Sequence, residues 1–140
     1  MSVEAILAPV FVQVALMFFL MFYMAGVRTG ALRRREVQLG DVALGQQNWP
    51  PYAAQAANAY NNQFQLPLLF FVLVILAYLF KKADLLFVVM SWIFVITRIG
   101  HAFVHVTSNR MQMRFSIFAV GAVVLAIMWF IFAVRILLLI

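Results

Sequence analysis

Cysteine is missing from this 140-residue chain, which removes disulfides, thiolate metal sites and a cysteine nucleophile; any thiol chemistry must use a thiol that a ligand brings. Acid is almost as scarce. Four Asp and Glu stand against ten Lys and Arg, and Glu4, Glu36, Asp41 and Asp84 all fall outside the long apolar runs. Acid–base chemistry by paired carboxylates is therefore not expected. Charge of either sign is thin: 10% of residues are charged and 67% are hydrophobic. So few charges cannot coat 16.0 kDa of globule, and a water-soluble domain is excluded. No catalytic triad, P-loop, dinucleotide fingerprint, internal repeat or low-complexity segment is present.

The net charge of +6 does not point to nucleic acid, because no polar stretch interleaves basic and aromatic residues over a length that would make a binding face. Juxtamembrane cations facing anionic lipid explain the same charge. No Lys or Arg precedes Arg28, and the first apolar run is too long for the h-region of a signal peptide, so it is expected to be a retained span.

The apolar runs predict a single all-α domain over 1–140, an integral membrane four-helix bundle with helices at about 5–27, 53–80, 85–106 and 115–139. Helix two carries the most information. Its unbroken apolar run, Leu66 to Phe80, covers about 22 Å at helical rise, short of a full crossing. Extending it back to Ala53 brings Asn58, Asn61, Asn62, Gln63 and Gln65 to membrane depth, where unsatisfied amides are costly. Arg28 to Tyr52 and Thr107 to Arg114 read as polar loops, with Pro50 and Pro51 marking a turn in the first. In a four-span chain these loops share a side, and they hold Arg28, Arg33, Arg34, Arg35, Arg110 and Arg114; the other side has Lys81, Lys82 and Arg135. The positive-inside rule makes the Arg-rich loops cytoplasmic, with both termini on the opposite side of the membrane, the inner membrane if the cell is bacterial.

Helix three places Ser91, Arg98, His101 and His105 along one face. An arginine near a helix centre costs about 2.5 to 3.5 kcal/mol on insertion scales. Arg98 lies roughly 13 Å along the helix from Thr107, too deep for easy snorkelling. It serves either as a strut between helices or as an anion-binding group. His101 and His105 have the i, i+4 spacing of a metal pair, but no acidic residue lies nearby and Arg98 would repel a cation, so no metal site is expected. The amides Asn58, Asn61, Asn62 and Gln65 either glue helices together or line a polar pocket with the arginines. Ser91 and Thr97 read as packing residues, and the aromatics as lipid contacts and interface belts. The polar faces of helices two and three both require shielding from hydrocarbon, which a neighbouring protomer would supply.

The segments NAYNNQFQLP at 58–67 and RIGHAFVHVTSNRMQMR at 98–114 resemble the MAPEG family, membrane-associated proteins in eicosanoid and glutathione metabolism, and the resemblance covers nearly the whole chain. It implies a homotrimer in which glutathione, as cosubstrate, lies between protomers at the cytosolic end while a lipophilic small molecule enters from the bilayer. By that resemblance Asn62, Gln65, Arg98, His101 and Arg110 match pocket positions, and Arg114 takes the place of the arginine that stabilises the glutathione thiolate, a role suited to a cation beside a thiol. The pattern departs from glutathione-using members at Gln65, where they have Glu, at Asn58, where they often have Arg, and at His105 and Phe118, where they often have Tyr. The candidate set is thus Arg114 as catalytic residue, with Asn58, Asn62, Gln65, Arg98, His101, His105 and Arg110 as cofactor-binding residues. The implied function is a glutathione-dependent transferase or peroxidase acting on lipophilic electrophiles. Two alternatives stay open: a non-catalytic protein that holds an anionic lipid or other anion in the altered pocket, and a membrane scaffold without ligand, which leaves Arg98 unexplained.

Overall fold

The computed structural model describes residues 1–46, 48–108 and 110–140. Its helices, in chain order, are α1 (Val3–Arg33), α2 (Leu39–Val42), α3 (Pro51–Asn61), α4 (Leu66–Leu79), α5 (Leu85–Val106) and α6 (Met111–Leu137), with a 3-10 turn at Asn62–Phe64 between α3 and α4. Four stretches are long and apolar enough to cross a bilayer: α1, α3 and α4 taken together, α5, and α6. The chain is therefore an all-helical integral membrane protein.

The helix limits depart from those the hydropathy implies, each for a local reason. α1 continues past Val27 because no breaker intervenes before Arg34. Its 31 residues span about 46 Å, well beyond the roughly 30 Å of hydrocarbon, so Arg28 and Arg33 ride out of the membrane on the helix rather than in a loop. The second crossing is broken, not continuous over 53–80. Pro67 has no N–H to offer the carbonyl of Gln63 and its ring crowds that carbonyl; Gln65 leaves the helical region at φ −96°, ψ −95°. α5 begins at Leu85, where Asp84 caps it by accepting from the Phe87 amide at 3.0 Å. α6 starts at Met111 rather than 115, with Arg110 as N-cap, which puts Arg114 on a helical turn instead of in a loop.

Packing follows side-chain size. Ala53, Ala56, Ala57 and Ala59 on α3 are buried, and small side chains allow close approach where apolar attraction between helices is weak. α5 and α6 close up at Gly121, where a Cβ would lie 2.7 Å from Thr97 Oγ1. Phe70 of α4 stacks on Phe94 of α5 with ring centroids 4.8 Å apart, inside a cluster that includes Ile6, Leu73, Leu125 and Met128. Phe11, Phe19, Phe22, Ile96, Phe103 and Phe130 are exposed, as lipid-facing residues are.

Side-chain bonds sort the connections into two ends. At one end Arg34 Nη2 donates to Tyr52 Oη at 2.8 Å, Tyr52 donates to Glu36, and Gln55 Nε2 donates to the His105 carbonyl. The Tyr52 and Arg34 hydrogen bonds hold the Glu36 carboxyl below the ordinary carboxylate range. At the other end Arg135 pairs with Asp84 at 2.8 Å and donates to the Lys82 carbonyl at 3.3 Å. The Arg135 hydrogen bond to Asp84, reinforced by the Phe87 amide, pulls the Asp84 carboxyl down.

A buried amide pair fixes α1 to the break in the second crossing. Gln13 Nε2 donates to Gln63 Oε1 at 2.8 Å and Gln63 Nε2 donates to the Ala59 carbonyl at 3.3 Å, while Gln13 Oε1 has no partner. The geometry makes an asymmetric prediction. Gln63→Leu newly strands Gln13 Nε2 beside an Oε1 that already lacks a partner and should cost about 2 kcal/mol, Gln13→Leu strands Gln63 Oε1 but removes that unpaired oxygen and should cost about 1 kcal/mol or less, and the double substitution should recover most of the loss. Denaturant unfolding in detergent reads these differences, and additive losses in the double variant would contradict the pairing.

Candidate functional site

The polar face of α5 turns inward, against the 3-10 turn and the start of α6. Arg98, at 1% exposure, is among the largest enclosed side chains of the chain. Its Nη2 donates to the Asn62 carbonyl at 3.3 Å, a carbonyl that the 3-10 turn leaves outside a regular helical ladder. Nε and Nη1 have no partner, and the guanidinium carbon lies 6.0 Å from the Phe118 ring centroid. The break ahead of Pro67 leaves this carbonyl only a long bond from the Gln65 N–H, at 3.4 Å, so that it can also accept from Arg98.

One turn further along α5, Asn62 Nδ2 sits 3.2 and 3.3 Å from the two ring nitrogens of His101 and can donate to whichever is unprotonated. The His101 ring stands edge-on to His105 at 5.6 Å and tilts against Phe118 at 5.8 Å. His105 Nε2 lies 3.3 Å from Arg114 Nη1. Arginine only donates, so Nε2 is the acceptor and the proton of the neutral ring sits on Nδ1. Nδ1 is itself buried without a partner. Arg98 and His105 therefore offer N–H groups that nothing among the described residues accepts.

No carboxylate answers them. Glu36 is engaged by Arg34 and Tyr52, Asp41 accepts from the Gln38 amide at 3.3 Å, Asp84 is held by Arg135 at the far end, and Glu4 lies in the first turn of α1. Among the described residues no three His, Asp or Glu side chains converge as metal ligands do. A cationic, donor-rich cluster with no internal counter-ion has the chemistry to accept an anion.

The structure brings together Asn62, Arg98, His101, His105 and Arg114, with Phe118 as apolar wall. It leaves Asn58, Gln65 and Arg110 exposed on the bundle's outside, and no side-chain hydrogen bond joins them to the cluster. Within one chain they lie apart from the cluster: Gln65 sits at the break and Arg110 is the N-cap residue of α6. Sequence reasoning did not single out Gln55, whose amide ties the start of α3 to the end of α5, or the Gln13–Gln63 pair. The available signal for the pair was Gln13, an isolated amide inside the first apolar run, since an intramembrane amide needs a partner.

The family model for MAPEG proteins matches residues 6–134, nearly the whole chain. No curated protein and no solved structure matches.

Whether Arg98 is a strut or a receptor is decided by removing its charge and keeping its bulk. A strut would leave its acceptor unpaired when replaced, whereas an unsatisfied buried cation costs more than an apolar side chain of similar length. Arg98→Met is therefore expected to hold or raise the thermal midpoint of the ligand-free protein in detergent. A fall corresponding to about 2 kcal/mol or more would assign Arg98 to the scaffold.

Proposed function

The chain belongs to the MAPEG family, and on that premise we propose that it is a glutathione-dependent transferase or peroxidase acting on lipophilic electrophiles drawn from the bilayer. The observation that carries this reading is the pair of unpartnered nitrogens on buried Arg98, beside a second arginine, Arg114, held at the mouth of the same cluster. Glutathione, when bound, supplies a thiol that adds to the electrophile. The residues present fit its anionic parts. Arg98, with Asn62 and His101 beside it, holds and orients a carboxylate through charge-assisted hydrogen bonds. Arg114, at the helix start and less enclosed, lies where a thiolate could be stabilised, and a cation there lowers the thiol pKa and raises the reactive fraction at neutral pH. His105 keeps the Arg114 guanidinium in place by accepting one of its N–H groups.

The reading extends to assembly and orientation. Exposed Asn58, Asn61 and Gln65 sit on a crossing whose other outward residues, Leu68, Leu69 and Val72, face lipid, and amides at that depth need cover. We take the cover to be a neighbouring copy in a homotrimer, so that these amides and Arg110 complete the site from the adjoining protomer. The arginine-rich end is then the cytoplasmic one.

A second reading, an anion-holding protein without catalysis, is favoured by one feature: no carboxylate faces the cluster to receive the ammonium of a γ-glutamyl group. One experiment separates the two. Detergent-solubilised protein should conjugate glutathione to lipophilic electrophiles, and Arg114→Ala should lower turnover by about 10²-fold while changing glutathione affinity little. Absence of conjugation with every electrophile tried, together with an anionic lipid retained in the native mass spectrum and lost in Arg98→Ala, would replace the first reading by the second.

A further inference from the structure

The arginine-rich end carries a feature that the polar pocket does not use. α1 closes with Glu36 N–H to the Ala31 carbonyl at 3.0 Å and Arg35 N–H to the Leu32 carbonyl at 3.1 Å. Arg35 at the corner takes φ 59°, a left-handed position that glycine fills without cost and a side-chain-bearing residue fills under strain. The same closure ends α4, where Lys81 takes φ 57°. α6 ends in the same way with Leu139 at φ 56°, so the corner itself does not demand a cation, and at Arg35 a charged side chain stands where glycine would be more stable. Helix C-termini attract cations, but a cation on the preceding ordinary helical turn, as at Arg33, meets that need without strain.

Around Arg35 the chain forms an open basin of about 520 Å³ lined by Leu32, Arg35, Val37, Gln38 and Leu39. Nearby charges are already sorted. Arg34 is neutralised by Glu36 at 3.1 Å, and Asp41 is turned to the Gln38 amide. Arg33 and Arg35 have no acidic partner among the described residues. Leu39 is 67% exposed and Leu44 is 89% exposed, apolar side chains standing out from a polar connection just beyond the end of a crossing. Exposed leucines beside free guanidinium groups at that height match an interface in which acyl carbon lies below and phosphate above.

We propose that the basin at Arg35 binds the phosphate of an anionic phospholipid, with Arg35 holding the headgroup and Leu32, Val37 and Leu39 meeting the upper acyl carbons. The site lies outside the Arg98 and Arg114 cluster and stands whether or not that cluster uses glutathione.

Because the strain and the charge reside in one residue, they are separable by substitution. The full chain is placed in nanodiscs of phosphatidylcholine alone, or of phosphatidylcholine mixed with phosphatidylglycerol, and its thermal midpoint and retained phosphatidylglycerol are measured. The wild type should melt higher in the mixed discs and retain phosphatidylglycerol. Arg35→Gly should melt a few degrees higher than wild type in phosphatidylcholine alone, through relief of the left-handed corner. It should also lose the phosphatidylglycerol increment and bind that lipid about fivefold more weakly. Arg35→Gln should lose the increment without the gain. The proposal is overturned if Arg35→Gly keeps the whole increment, or if Arg33→Gln loses as much as Arg35→Gln, which would indicate diffuse attraction rather than a site.

Discussion

An enclosed guanidinium with unmet hydrogen-bond donors is the costliest group an apolar helix bundle can carry, and here the bundle is arranged around one. Arg98 sits at 1% exposure with a single acceptor, the Asn62 carbonyl. That carbonyl can accept from Arg98 because the second crossing breaks ahead of Pro67 and leaves it only a long bond from the Gln65 N–H at 3.4 Å. The break in turn is held by the Gln13–Gln63 pair and by alanines that let α3 lie close to α1. The enclosed cation and the break in the crossing would each weaken a bundle selected for stability alone. Together these features keep a cation inside the membrane with bonding capacity left over, the arrangement expected when an incoming anion supplies the missing acceptors.

The cluster is graded along α5. Arg98 is deepest, His101 and Asn62 come next, and His105 with Arg114 lies at the rim, where α6 begins. A ligand entering from that end meets Arg114 first and Arg98 last. Such a gradient suits a molecule with a carboxylate at one end and a reactive group at the other. The far end of the bundle has the opposite character: Arg135 is spent on Asp84, so its charge closes the structure rather than seeking a ligand.

How much of this the sequence disclosed depends on the length scale of each signal. Hydropathy summed over a crossing is a large term, and the four spans follow from it; the bounds of α5 agree to the residue, because Asp84 is both the last polar residue and a good cap. Smaller terms decided the rest. Arg28 and Arg33 read as loop because they are charged, yet a helix protruding into water tolerates arginine well. Pro67 was visible, but hydropathy does not say whether a proline bends a crossing or breaks it. Arg98, His101 and His105 were legible as one face from their spacing. Asn58 and Gln65 join them through membrane depth and the family resemblance, not through spacing, and both are exposed within the chain. The bond between Gln13 and Gln63 joins residues far apart in the chain, beyond the reach of any periodicity.

The central claim is that an anionic ligand completes Arg98. It is tested most directly by calorimetric titration of glutathione into the detergent-solubilised protein and into Arg98→Met. The account predicts saturable binding to the wild type, weakened about tenfold or more by the substitution through the loss of charge-assisted hydrogen bonds. No binding to the wild type, or equal affinity in the two proteins, would contradict it.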